Sequence, residues 1–329
     1  MKTVSLIALA VLALAQIATA ELTAEEAAEQ QELLAWARTL QLQARDDQAL
    51  GVCDMILQVD PESADAYLRR AMILLGESRF DDAIADLDRA LRYRKDDPLA
   101  LAARAHAWTA VGELDRGQSD ARRSAEMAAA SIAAEAADAI DYYARGLARV
   151  LLEHREALQD FATAASLDEK LVEAHVERAH IFVGTGRLEE ALGHLTRAVE
   201  TRPDYAVGFL SRAHVHYEMS NFQEALADCD RALQINDHYA RAWHNRGLIN
   251  VQIADLRSAI QDFTQAILVQ PGYASAHYYR GEAYLTLGNV ASARADWETA
   301  SEVAPDEWAG QAAAEMLRQL RQQQGEAAD

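Results

Sequence analysis

The chain has 329 residues, 50% apolar and 25% charged, with 15 glycines and five prolines, a balance that permits a substantial core and favours an all-helical protein. With 31 Lys+Arg against 52 Asp+Glu, the formal net charge is −21, a surface that repels phosphate backbones and argues against nucleic-acid binding. Only Cys53 and Cys229 are present and no Asn-x-Ser/Thr acceptor occurs, which sets the chain apart from disulfide-rich extracellular animal proteins.

Residues 1–20, "MKTVSLIALAVLALAQIATA", combine Lys2, an unbroken apolar run from Leu6 to Ala15, and the small-residue site Ala18-Thr19-Ala20. This pattern predicts a secretory signal peptide, with a run too short to span a bilayer. Its removal takes away Lys2 and leaves a charge of −22. No cysteine follows the cleavage site, so no lipid anchor is expected. The expectation is export, to the periplasm or the medium, from a bacterial cell, with no stable membrane anchor once the signal is gone.

Beyond it, one period of 34 residues dominates. It frames units at 30–63, 64–97 and 98–131, then at 139–171, 172–205, 206–239, 240–273 and 274–307. The eighth position is always tiny: Ala37, Ala71, Ala105, Gly146, Ala179, Ala213, Gly247 and Gly281. A second small column runs through Ala49, Ala83, Gly117, Ala157, Ala191, Ala225, Ala259 and Ala293. A third is mostly alanine, from Ala90 to Ala300, and Pro61, Pro203, Pro271 and Pro305 share one phase. Each unit therefore reads as two helices of three to four turns joined by a short loop, the tiny residues letting the pair approach closely and proline ending the second helix. One such hairpin cannot bury its apolar face alone, so neighbours must stack.

The unit resembles the tetratricopeptide repeat. The family's pattern is matched by Trp243, Gly247, Ala259, Phe263, Ala266 and Pro271, and again by Gly281, Tyr284, Ala293, Trp297, Ala300 and Pro305. The resemblance covers residues 30–307 and implies an all-α, right-handed superhelical solenoid of antiparallel helix pairs. The alanine-rich stretch "MAAASIAAEAADAI" (127–140) separates an N-terminal block, 21–138, from a C-terminal block, 139–307. Residues 308–324 carry Ala313, Met316, Leu317 and Leu320 at amphipathic spacing and predict a capping helix, with 325–329 a frayed tail.

Arginine fills the seventh position of seven units, and an unpaired stripe of that kind would suit a polyanion. Yet Arg70, Arg104, Arg212, Arg246 and Arg280 are followed sixteen residues later by Asp86, Asp120, Asp228, Asp262 and Asp296. Arg145 is followed at fifteen by Asp160, and the first unit, with Trp36 and Val52, has neither charge. The joint presence and absence predicts structural ion pairs between helices. Arg178, with His194 in place of the aspartate, is the exception.

In the resembled family the first helices line a concave surface, with phases 2, 5, 9 and 12 facing ligands. Carried over, these positions include Arg38, His106, Tyr143, His180, His214, Tyr217, Arg241, His244, Tyr278 and Glu282. The family's carboxylate clamp is absent, since its phases hold Leu34/Arg38, Leu68/Met72 and Ala102/His106. The expected function is a non-catalytic scaffold that binds a protein or peptide partner in the groove, with no cofactor and no metal. The alternative is a metal-binding or catalytic periplasmic protein using His180, His214 and His244. Against it, no His pair has i,i+4 spacing with a completing carboxylate, and no nucleophile elbow, P-loop, HExxH or CxxC occurs.

Overall fold

The computed structural model describes residues 24–324; the expected signal peptide, 1–20, and the expected frayed tail, 325–329, lie outside them. Among the described residues the chain is all helix, seventeen in number and no strand. In chain order these are α1 (Ala24–Leu42), α2 (Asp46–Val59), α3 (Ala64–Gly76), α4 (Phe80–Tyr93), α5 (Pro98–Ala110) and α6 (Leu114–Ala133). Then come α7 (Ala139–Leu151), α8 (Ala157–Leu167), α9 (Val172–Gly184) and α10 (Leu188–Thr201). The rest are α11 (Ala206–Glu218), α12 (Phe222–Ile235), α13 (Ala240–Gln252), α14 (Leu256–Val269), α15 (Ala274–Thr286), α16 (Val290–Val303) and α17 (Trp308–Gln324).

Contacts gather into two compact units, one running to Pro203 and one beginning at Asp204. The sequence predicts a boundary at 138/139, beside the alanine-rich stretch. There α6 runs as a 20-residue helix that packs on both α5 and α7. Within each unit consecutive helices pack antiparallel, and successive first helices also touch: α1 with α3 and α5 with α7 in one unit, α11 with α13 and α13 with α15 in the other.

Local chemistry sets these elements. Each first helix closes on a residue in the left-handed region at one phase of the repeat: Ala44, Ser78, Gly112, Glu153, Gly186, Ser220, Ala254 and Gly288. The turn is of the Schellman type: after Ser78, the Arg79 amide reaches back to the Leu74 carbonyl at 2.9 Å. The second helix stops on a residue outside the α region, a conformation that a following proline reinforces in four of the units. Asp60, Arg202, Gln270 and Ala304 all have φ between −121° and −144°, ahead of Pro61, Pro203, Pro271 and Pro305. Pro98 has a different use as the first residue of α5, with Asp97 capping the Ala100 amide at 2.9 Å.

The core explains why the eighth position alternates between glycine and alanine. Gly146 lies against Phe161, Gly247 against Phe263 and Gly281 against Trp297; a Cβ on these glycines would meet the rings at 2.5, 2.7 and 2.6 Å. Where the same column holds alanine (Ala37, Ala71, Ala179, Ala213), its counterpart on the second helix is smaller: Cys53, Leu87, Leu195, Cys229, all fully buried. Volume is traded across one contact, as close packing requires. Gly281→Ala should therefore cost about 1–3 kcal/mol. Adding Trp297→Leu should make the double variant more stable than the sum of the two single losses implies. Urea melts measure this, and additive losses would show that the two positions do not share the space.

Candidate functional site

The arginine column forms a ladder that runs through each unit. Arg70 donates through Nε and Nη2 to Asp86 at 2.6 and 2.7 Å, and Arg104 likewise to Asp120 at 2.7 and 2.9 Å. Arg145 and Arg149 share Asp160 at 2.6–3.0 Å. In the second unit Arg212 holds Asp228 at 2.7 and 2.8 Å, Arg246 holds Asp262 at 2.6 Å, and Arg280 holds Asp296 at 2.6 and 2.9 Å. Five of these aspartates (Asp86, Asp160, Asp228, Asp262 and Asp296) are 2–5% exposed. Each is therefore stable only while its partner supplies the hydrogen bonds that water would otherwise give.

A second set of partners was missed from the sequence. The free Nη1 of Arg70, Arg104 and Arg246 reaches back sixteen residues, to Asp54, Asp88 and Asp230, each at 2.6 Å; Arg280 reaches Thr264 at 3.0 Å. One guanidinium thus pins its own second helix to the second helix of the preceding pair. The signal for this was present, in the Asp-x-Asp spacing of Asp86/Asp88 and Asp228/Asp230. These arginines are spoken for inside the fold and leave no continuous stripe for a polyanion.

The groove positions carried over by phase divide differently. Tyr143 is only 6% exposed: its ring lies 5.7 Å from Phe161 in a cluster with Leu171 and Ala174 of the next pair. His244, at 7%, is enclosed by Phe263, Tyr273 and Tyr279, with ring centroids 5.0–5.8 Å away. Neither lines an open wall, because an aromatic body at phase 5 gains more by tucking under its neighbour than by facing water. Burial holds His244 neutral, its pKa pushed down to about 4. Arg38 is engaged inside the first unit, donating through Nε and Nη2 to Glu173 at 3.0 and 2.7 Å and joining α1 to α9 across 135 residues. That partner was not visible in the repeat frame.

His180, His214 and Arg241 are exposed, as is His106. In the second unit, half-buried Tyr217 meets Phe222 edge-on, and Tyr278 donates to Glu282 Oε1 at 3.1 Å. Tyr278 also packs edge-to-face on Tyr279 at 5.2 Å and on Trp308 at 5.6 Å, and Trp308 remains 55% exposed. Tyr279 and Trp308 were not among the sequence-derived candidates, since one lies off the expected phases and the other opens the terminal helix α17. The result is an aromatic surface with one acid, Glu282, on the first helices and the end of the second unit, while Arg241 lies near His244 and Tyr273.

Among the described residues no three His, Cys, Asp or Glu side chains come together as a metal site, and no helix is long and apolar enough to cross a membrane. Cys53 and Cys229 are free and buried, each thiol pushed up to about 12 by burial.

Two models of the tetratricopeptide repeat match the chain, one over residues 64–97 and one over 244–312. None of the curated proteins matches it. Among solved structures, a chain of the APC/C hetero-tetramer Cut9-Hcn1 superposes with a TM-score of 0.60 at 18% identity, over 87% of this chain and 55% of that one. The present chain thus spans about half the length of that protein. Crystal structures of MamA align at 20% identity with TM-scores of 0.45, over 49–51% of this chain and 92–94% of theirs. The described chain is all helix with a fold similar to that of tetratricopeptide-repeat solenoids, and models of the repeat itself match residues 64–97 and 244–312.

Proposed function

We propose that the protein is an exported, non-catalytic scaffold that binds a peptide segment of another protein on the first-helix surface of its second unit. The observation that carries this is the aromatic surface of Tyr217, Tyr278, Tyr279 and Trp308, with Trp308 more than half exposed. Exposed aromatics beside a few polar groups supply contact area at low entropic cost and are the usual anchors of peptide recognition. Glu282, bonded to Tyr278, and the exposed His214 and Arg241 on the first helices of the same unit offer polar contacts that set register. Solenoids of helix pairs present such surfaces because each pair adds the same face to its neighbour's. The signal-like pattern of residues 1–20 supports reading this activity as lying outside the cytoplasm.

A photo-cross-linking residue at Trp308 or Tyr278 tests the site against one at Leu268, an exposed second-helix position. In living cells the first two should trap one common partner and the third should not. Equal labelling from all three positions would refute the assignment. Export is tested on the same material, where the mature chain should begin at Glu21; an intact Met1 on the accumulated protein would contradict it.

A further inference from the structure

The ladder breaks at one rung, and the break leaves its donors in place. In the α3–α4 pair, Asp86 is held by Arg70 and approached by Arg89 at 3.4 Å, with Tyr67 beside both arginines. In α11–α12 the same four phases hold Phe209, Arg212, Asp228 and Arg231, and in α15–α16 His277 lies 3.3 Å from Asp296 beside Arg280. The α9–α10 pair fills these phases with His175, Arg178, His194 and Arg197. Every cation of the frame is retained and the carboxylate is gone.

The geometry follows from that loss. His194 stands where the aspartate would, its ring held between Phe182 and His175 with centroids 5.5 Å from each, and the two imidazole Nδ1 atoms face one another at 3.4 Å. Sixteen residues before Arg178, where other rungs place Asp54, Asp88 or Asp230, stands Ala162. The Nε of Arg178 is buried and has no hydrogen-bond partner. Burial without a carboxylate pulls its pKa below the usual arginine value, whereas Arg70 and Arg280 move the other way. Glu190, whose charge reaches His194, is bonded by Arg187. Arg178 and His194 are half-buried and Arg197 is exposed, so the group is open to solvent on one side.

We infer that Arg178, Arg197 and His194 form a binding site for a phosphate-type oxyanion, the ligand supplying the charge that an aspartate supplies in the other rungs. A half-buried guanidinium with no carboxylate partner leaves its outer N–H groups for charge-assisted hydrogen bonds to an oxyanion, and the planar fork suits a phosphate oxygen pair. The site is unrelated to the aromatic surface and stands whether or not that surface binds a peptide.

The test uses the full mature chain and inorganic phosphate, titrated calorimetrically at constant ionic strength against chloride, with O-phosphoserine as a second arm. The wild type should show saturable binding at one site; tighter binding of phosphoserine would point to an esterified group, equal or weaker binding to the free ion. Arg178→Met should weaken binding about tenfold or more. His194→Asp rebuilds the rung from within, so it should abolish binding and raise the melting temperature in phosphate-free buffer. Absence of saturable binding by the wild type, or undiminished binding by His194→Asp, would overturn the inference.

Discussion

Asp262→Ala should lower the unfolding free energy by about 3–5 kcal/mol, among the largest losses available to a single substitution in this chain. The carboxylate accepts from Arg246 Nη2 at 2.6 Å and from Asn250 Nδ2 at 2.8 Å, and it is nearly inaccessible to water. Its removal strands a half-buried guanidinium and a buried amide at once, and each then lacks both its partner and full hydration. Replacing Arg246 and Asp262 together by methionine and leucine should recover most of the loss, since a desolvated pair adds little net stability over apolar groups of similar size. The other arm of the same arginine sets the scale. Asp230 accepts from Arg246 Nη1 at an equal 2.6 Å but is 52% exposed, so Asp230→Ala should cost less than about 1 kcal/mol. Equilibrium urea denaturation distinguishes the three, and comparable losses for Asp230→Ala and Asp262→Ala would contradict the part assigned to burial.

The second large effect is acid lability beginning well above the carboxylate range. His194 and His244 are both held near a pKa of about 4, chiefly by burial, with the Arg178 charge adding to the effect on His194. In the unfolded chain both titrate near the ordinary 6.5. Between these values the unfolded state binds more protons, so stability is full above pH ~6.5 and falls as pH drops toward ~4. A shift of this size corresponds to about 3 kcal/mol for buried His244 at full extent, and to less for half-buried His194, where solvent screens the charge. Asp296 adds a separate loss at lower pH. Burial raises its pKa, but the bonds and charges of His277 and Arg280 outweigh that and hold it below the ordinary value. Its contribution is therefore present above the unfolded carboxylate pKa and disappears as pH falls through the folded one. His180 works in the opposite sense through Glu177 but is 60% exposed and worth little. Urea midpoints between pH 7 and pH 4.5 should fall steadily, and His244→Leu should flatten the slope. An unchanged slope in that variant would remove His244 from the account.

Much of this fold was legible in the residues because a solenoid is built from local rules repeated. The tiny columns, the proline phase and the loop lengths all act within one helix pair, so a period of 34 residues carries them directly. Even the trade between Gly281 and Trp297, or Ala71 and Leu87, is written in two columns a fixed distance apart.

The functional surface was less legible, and the reason is physical. Phase 5 is a position on a helix, not an exposure. It puts Tyr143 and His244 under neighbouring side chains while Tyr278 keeps contact with exposed Trp308, and only the residues of the next pair decide which happens. The Arg38–Glu173 bridge depends on how α1 and α9 approach through the intervening helices, an accumulated geometry that no single repeat encodes. The sequence by itself determined the helix pairs, their tiny-residue contacts and the own-pair charges of the ladder, because all of these lie within one repeat. Only the tertiary structure decided which groove positions remain open, that Arg70, Arg104, Arg246 and Arg280 tie back to the preceding pair, and that the Arg178 Nε is buried without a partner, because burial and desolvation are set by neighbours distant in the chain.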